Sequence, residues 1–323
     1  MEVFLQDSIT GIAYDISDIV EKIIWECSIN NNPSKLKIFL IKKNDLKINK
    51  GSQVTFRYKG DNVFYGFTFE DENDSNESND ILAYAQTRYL KNKDTYVFVD
   101  KTISDIFIQL CTDFKLTYKV GTQSTHILAP AIRDNKRLAE ILEMGINETL
   151  AISGKWFIYY DDFDIIKLDD MNNLKTDLII SDKANLYGFK YKTSIDKDTY
   201  NQIKLIKENK DTAKREVFIV KDSRSISQIG TLQYFEKIDE TANDAQIENK
   251  ADTLLSLKKR ETKSLKLDVL GDLRARAGYG VILDLKELDI DTTAELQYYV
   301  IENSTHEFTN NEHNMKLEMM VSF

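Results

Sequence analysis

Two prolines in 323 residues, and no run of glycine and serine, leave this chain without a flexible tether. Its domains must be joined by short connections or interleaved rather than strung on a linker. Two cysteines cannot form a disulfide framework. Cys27 ends a strand-like stretch and Cys111 falls on the apolar face of a helix, so both read as small core residues. Three histidines are too few and too scattered for a Ser/His/Asp or Cys/His constellation. No segment approaches the roughly 20 apolar residues of a membrane helix. The first residues carry no basic region and no apolar run, so no secretory signal is expected. Positive charge is also short: 43 Lys and Arg stand against 53 Asp and Glu, a net charge of -10. That balance disfavours a protein that grips nucleic acid by neutralising phosphates.

What remains is an ordinary mixture of apolar and charged residues, in a chain long enough for two or three domains. The first ninety-odd residues read as strands. Leu36, Ile38 and Leu40 alternate, then Val54, Phe56 and Tyr58, with turn chemistry between. The middle changes character. A capping signal at Thr102 precedes the stripe Ile103, Ile106, Phe107, Leu110, Cys111 and Phe114. A second helix is expected to start near Asp134 or Asn135, with Leu138, Ile141, Leu142 and Gly145 on one face. A hairpin follows, its strands around Trp156 and Ile165 and its turn at residues 161–164. The last part returns to strands. One helix interrupts near 241–260, with Ile247, Ala251, Leu254 and Leu255 at helical spacing. Leu265, Leu267 and Val269 alternate after it, and Met315, Leu317, Met319, Val321 and Phe323 alternate at the end.

The segment L-R-A-R-A-G-Y-G-V-I-L-D-L (273–285) decides between two readings. A phosphate loop needs glycines at fixed spacing between a strand and a helix. Neither spacing is present, and an apolar strand follows Gly278. The alternative is a repeat of L-K-I-N-K-G-S-Q-V-T-F-R-Y (46–58). Leu46, Gly51 and Val54 recur as Leu273, Gly278 and Val281. In both copies an alternating strand precedes the segment and an aromatic-rich strand follows. Gly51 and Gly278 are placed where a strand turns a corner or takes positive φ. The fold class is therefore mainly β with α+β. Two small related barrels, 1–95 and 181–323, flank an α+β unit at 96–180, and a helical insertion near 241–260 lies in the second.

Site candidates are few. The acidic stretch 71–80 fails the calcium-loop pattern. From Asp71 the sixth and twelfth positions are Asn76 and Leu82; from Asp74 they are Asn79 and Ala85. It reads as a solvated hairpin tip. His306 and His313 bracket a turn without a third ligand nearby, so they read as exposed or hydrogen-bonded hairpin residues and not as a metal site. Asp161, Asp162, Asp164, Asp169 and Asp170 cluster around the Trp156 hairpin. A carboxylate pair such as Asp161 and Asp164 could serve a glycoside hydrolase. They are expected in turns and strand ends, outside any apolar setting that would raise a general acid's pKa.

Several stretches, in order, carry a family resemblance: GFTFE (66–70), TRYLKNK (87–93), KTISDIF (101–107), DTYNQIKL (198–205), KDSRSISQIGTLQ (221–233) and VLGDLRARAG (269–278). The chain resembles the XkdQ/YqbQ-type baseplate hub proteins of PBSX-like prophages, contractile phage tails and tail-derived bacteriocins. The resemblance lies in the order of the stretches and carries over no individual interface residue. It implies a non-enzymatic structural protein without a cofactor. Similar hubs are homotrimers whose subunits each give two barrels, matching the sixfold tail tube to a threefold spike. The implied partners are the tail tube protein, spike or other baseplate proteins and the tape-measure protein, with no specific nucleic acid and no membrane. The implied location is the bacterial cytoplasm during assembly and then the tail particle. The alternative is a tail-associated peptidoglycan hydrolase using Asp161 and Asp164.

Overall fold

The computed structural model describes residues 1–29, 32–41, 48–73, 78–196, 198–209, 214–238, 243–288, 290–291, 298–310 and 312–320. Leu46 of the repeat, residues 74–77 of the acidic stretch, Thr241 and Ala242 of the helix signal, and Val321 and Phe323 of the final alternation lie outside the described residues.

The first region consists of β1 (Glu2–Gln6), β2 (Ala13–Asp15), β3 (Val20–Ser28), β4 (Lys35–Ile41), β5 (Gln53–Tyr58), β6 (Asp61–Asn73) and β7 (Ser78–Tyr84). The middle region holds β8 (Lys93–Phe98), α1 (Ile103–Asp113), β9 (Tyr118–Val120), β10 (Ala131–Arg137), α2 (Leu138–Ser153), β11 (Phe157–Asp162) and β12 (Ile165–Asp170). The last region contains β13 (Lys175–Ser181), β14 (Leu186–Ser194), β15 (Gln202–Asn209), β16 (Lys214–Lys221), α3 (Ser223–Ile229), β17 (Gln233–Ile238), α4 (Asp244–Lys258), β18 (Thr262–Leu270), β19 (Gly280–Leu285), β20 (Ile290–Asp291), β21 (Tyr299–Thr309) and β22 (His313–Met319). The fold is mainly β with α+β parts.

The strand order contains a repeat. One set of strands is ordered β3-β4-β7-β6-β5-β1, and a second is ordered β14-β18-β22-β21-β19-β13. In chain order the two sets match one to one. Antiparallel pairing of β3 with β21 joins them into one continuous sheet, with Trp25 opposite His306 and Ile23 opposite Phe308. The edge pairing differs between the sets: β1 runs antiparallel to β5, whereas β13 runs parallel to β19. Alternation explains which face is buried. Leu36, Ile38 and Leu40 are buried in β4, as are Leu265, Leu267 and Val269 in β18 and Met315, Leu317 and Met319 in β22.

Helix α1 begins with a capping box. The Thr102 hydroxyl accepts from the Asp105 amide, and the Asp105 carboxylate accepts from the Thr102 amide. Its stripe packs against Leu138, Ile141 and Leu142 of α2. Helix α2 starts at Leu138, later than the sequence suggests. Residues Ala131–Arg137 instead form β10 against β8, with a register shift between Arg133 and Lys136. Cross-strand pairing outweighs the helix signal at Asp134. Asn135, at φ 50°, takes the left-handed backbone that asparagine tolerates. Strand β12 pairs antiparallel with β11 and parallel with β9, so the small sheet here is mixed.

The chain divides into two units: Met1–Lys190 with Lys266–Met320, and Tyr191–Leu265. The division falls within β14 and β18. In the second unit β15 lies between β16 and β17. Its Ile203 and Leu205 pack with Ile247 and Ala251 of α4.

Candidate functional site

The connection between β18 and β19 is the RARAG loop. Its two arginines face different surroundings. Arg274 stays half exposed and binds Asp272 and Asp177, each at 2.6 Å. The Arg276 side chain is only 16% exposed. Its guanidinium lies over the Trp25 ring at 5.1 Å and the Tyr279 ring at 5.8 Å. It donates to the Asp161 carbonyl and, at 3.3 Å, meets the Asp162 carboxylate. Asp162 also pairs with Lys167.

Asp161 is 8% exposed and lies within β11 rather than in the turn. The turn of this hairpin is Phe163 and Asp164, with Phe163 at φ 58°. The Thr87 amide donates to Asp161 Oδ1 at 3.2 Å, and the Thr87 hydroxyl donates to Oδ2. The Ser34 amide donates to Thr87 Oγ1 at 3.3 Å, and Trp25 Nε1 donates to Ser34 Oγ at 3.0 Å. Burial pushes the Asp161 pKa up to about 6, with the Thr87 hydrogen bonds and the Arg276 charge opposing it. This corrects the expectation that no aspartate of the cluster sits in a pKa-raising environment. The cause is tertiary: β3, the β4 approach and the Thr87 turn close over β11.

The other aspartates are placed singly. Asp164 is exposed, and its carbonyl accepts from Gln86. Asp169 Oδ1 accepts from the Thr122 hydroxyl at 2.7 Å and Asn173 at 2.8 Å. Asp170 accepts from the Asn172 amide at 2.9 Å, capping the turn after β12. Among the described residues no group of three or more His, Cys, Asp or Glu could hold a metal ion.

His306 and His313 lie beside the same loop. His306 Nε2 is 2.8 Å from the Ala275 carbonyl, and its Nδ1 is 2.9 Å from His313 Nε2. A carbonyl only accepts, so His306 carries its hydrogen on Nε2. A neutral His306 then accepts at Nδ1, and His313 donates from Nε2. Burial, with the neighbouring His313, lowers the His306 pKa to about 3. Burial also lowers that of His313 to about 4, against the pull of Asp272. His126 lies apart, between β9 and β10. Both thiols are free, and burial pushes Cys27 up to about 11 and Cys111 to about 12. Neither is a ready nucleophile at neutral pH.

A cleft of about 690 Å³ opens where Glu26, Lys35, Lys266, Asp268, Lys316 and Glu318 meet. Lys35 pairs with Glu26 at 2.9 Å, and Lys266 pairs with Glu318. This is a field of surface ion pairs. The Arg276 junction is different in kind. It ties β3, the start of β4, the Thr87 turn, β11 and the β18–β19 loop through donors and acceptors already satisfied by one another. The sequence pointed to the loop through its glycine cadence, but it gave no signal for Arg276, Thr87 or Ser34.

Residues 23–320 match the family described as YQBQ-like. Protein YqbQ of Bacillus subtilis (strain 168) is 27% identical over 276 residues, spanning 84% of this chain and 82% of that protein. The phage-like element PBSX protein XkdQ of the same strain is 26% identical over the same shares. The 43 kDa tail protein of prophage MuSo2 from Shewanella oneidensis has a similar fold, with a TM-score of 0.70. The identity there is 14%, covering 99% of this chain and 98% of that one. With nearly its whole length inside the family match, this chain belongs to the YqbQ-like family.

Proposed function

We propose that this protein is a structural component of a phage tail or phage-like tail particle. Within it, the chain acts as a baseplate hub: a homotrimer matching a sixfold tail tube to a threefold spike. One observation carries this reading. The same six-strand order occurs twice, joined through β3 and β21. Gly51 and Gly278 occupy equivalent places in the two sets. Gly51 donates to the Thr68 carbonyl, one residue beyond the Gln53–Phe67 pair. Gly278 donates to the Ile301 carbonyl, one residue beyond the Gly280–Val300 pair. A closed threefold oligomer meets a sixfold ring only if each subunit presents two similar surfaces. In this reading residues 1–95 and 181–323, the latter completed by β13, form two barrels, with the rest of 96–180 between them. The partners are the tube protein, a spike or other baseplate protein and the tape-measure protein. The protein assembles in the bacterial cytoplasm and ends in the particle.

Its role is architectural rather than catalytic. The raised pKa of Asp161 suits a general acid, but both its oxygens are bound by Thr87 and the residue is buried. The cavity that Asp161 lines is only about 20 Å³, too small for a sugar ring. The test is the solution mass of the full chain by light scattering over a concentration series. A mass three times that of the chain at micromolar concentration is expected. A strict monomer, alone and with co-expressed tube and spike proteins, would overturn the hub.

A further inference from the structure

The unit Tyr191–Leu265 has a sheet with two unlike faces. Ile203 and Leu205 of β15 point toward α4, joined by Phe218, Val220 and Tyr234 from the flanking strands. Alternation sends Gln202, Lys204, Ile206 and Glu208 the other way. The register then fixes their neighbours. Lys204 lies between Ile219 of β16 and Phe235 of β17. Ile206 lies between Val217 and Lys237 in the next row. Ile206 is 4% exposed, but Val217, Ile219 and Phe235 are 48%, 51% and 54% exposed. Single exposed apolar residues are ordinary. Three on adjacent strands of one face, around a buried isoleucine, form a patch that is costly to leave in water.

The rim of this face is basic. Lys221, Arg215 and Lys237 share it, with Lys204 at the centre, in a chain whose net charge is -10. Glu208 is the one carboxylate on the face among the described residues, and both Arg215, at 2.8 Å, and Lys237 bind it. Lys204 and Lys221 make no ion pair among the described residues. The local charge is opposite to that of the whole molecule and is only partly neutralised.

The geometry points to this face as the docking surface for an acidic segment of a partner protein. Its apolar side chains would lie on Val217, Ile219 and Phe235, and its carboxylates would reach Lys204 and Lys221. The inference stands independently of the tail reading. Charge complementarity selects the occupant. A second copy docked face to face would oppose two faces of the same net positive charge. Nucleic acid would meet a single aromatic ring here, and a repulsive charge over the rest of the chain.

The test is fluorescence anisotropy of a labelled peptide alternating glutamate with phenylalanine, valine and isoleucine, titrated with the full chain. Binding is expected at low salt, weakening as salt rises. Two double variants, Lys204→Glu/Lys221→Glu and Ile219→Ser/Phe235→Ser, should each weaken it on the order of tenfold. All four positions lie away from the α4 core, so unchanged thermal melting is expected and separates lost docking from lost folding. Absence of binding, or binding by both variants as tight as by the unaltered chain, would overturn the inference. So would a fifteen-residue thymidine oligonucleotide that binds in its place and is lost in the variants. A drop in solution mass caused by Ile219→Ser/Phe235→Ser would reassign the face to self-association and overturn it too.

Discussion

Arg276 is a cation held where water scarcely reaches, and its neighbours decide what its loss would cost. The guanidinium is always charged and has five donors to satisfy. Two aromatic faces, the Asp161 carbonyl and the Asp162 carboxylate take that role. Its removal takes the guanidinium off two rings and leaves the Asp161 carbonyl without that donor, while Asp162 keeps Lys167. Arg276→Ala is therefore expected to lower unfolding free energy by about 2 kcal/mol. Urea denaturation followed by tryptophan fluorescence checks this, as Trp25 sits under the guanidinium. Asp161→Asn should be far milder. An amide can still accept from the Thr87 amide and donate to the Thr87 hydroxyl.

The histidine pair gives the residue scale its pH dependence. Both rings have lowered pKa values, about 3 and about 4, against an ordinary 6.5. The unfolded chain therefore binds protons first as pH falls, and stability drops from pH 6.5 toward 4. Asp161 acts in the opposite sense. Its pKa is raised from 3.8 to about 6, so its contribution is present below pH 3.8 and is lost as pH rises through 6. Two histidines with larger displacements outweigh one aspartate. The denaturation midpoint is expected to fall between pH 7 and pH 5. The double variant His306→Gln/His313→Gln should flatten that slope. A slope unchanged in the double variant would remove the pair as its source.

At the scale of elements, the two glycine loops make a matched comparison. Gly51 and Gly278 have φ of 80° and 88° and donate equivalent hydrogen bonds. A Cβ at Gly51 would meet only the Ser8 Cβ, at 3.9 Å. At Gly278 it would meet the Ile158 Cγ2 at 2.9 Å and the Ile29 Cγ2 at 3.4 Å. Gly51→Ala carries the left-handed backbone penalty alone, roughly 1 kcal/mol. Gly278→Ala adds overpacking against a buried isoleucine and should cost roughly 3 kcal/mol. Thermal melting of the two variants side by side reads the difference. The cadence that makes these loops alike was legible in sequence because a left-handed turn before a strand restricts residue choice locally. Their difference was not legible, because Ile158 comes from the middle of the chain. The start of α2 is a similar case. Its apolar face was readable from period, but its first residue was set by β10 pairing with β8.

At the scale of the whole molecule, the sequence by itself determined the mainly β class, the Thr102 capping box, the α1 stripe, the α4 core contacts and the repeat around Gly51 and Gly278. Each rests on residues close in the chain, where backbone geometry and side-chain period act directly. The tertiary structure alone decided the rest. It joined β3 to β21, gave the two strand sets one order, buried Asp161 under Thr87 and brought Arg276 onto Trp25. It also left Val217, Ile219 and Phe235 on an open face, though their alternation looks like that of any half-buried strand. The physical reason is common to all of these. Period states that a face is apolar, while burial, pKa and partner depend on which distant segment reaches that face, and strand pairing over hundreds of residues is settled by the packed whole.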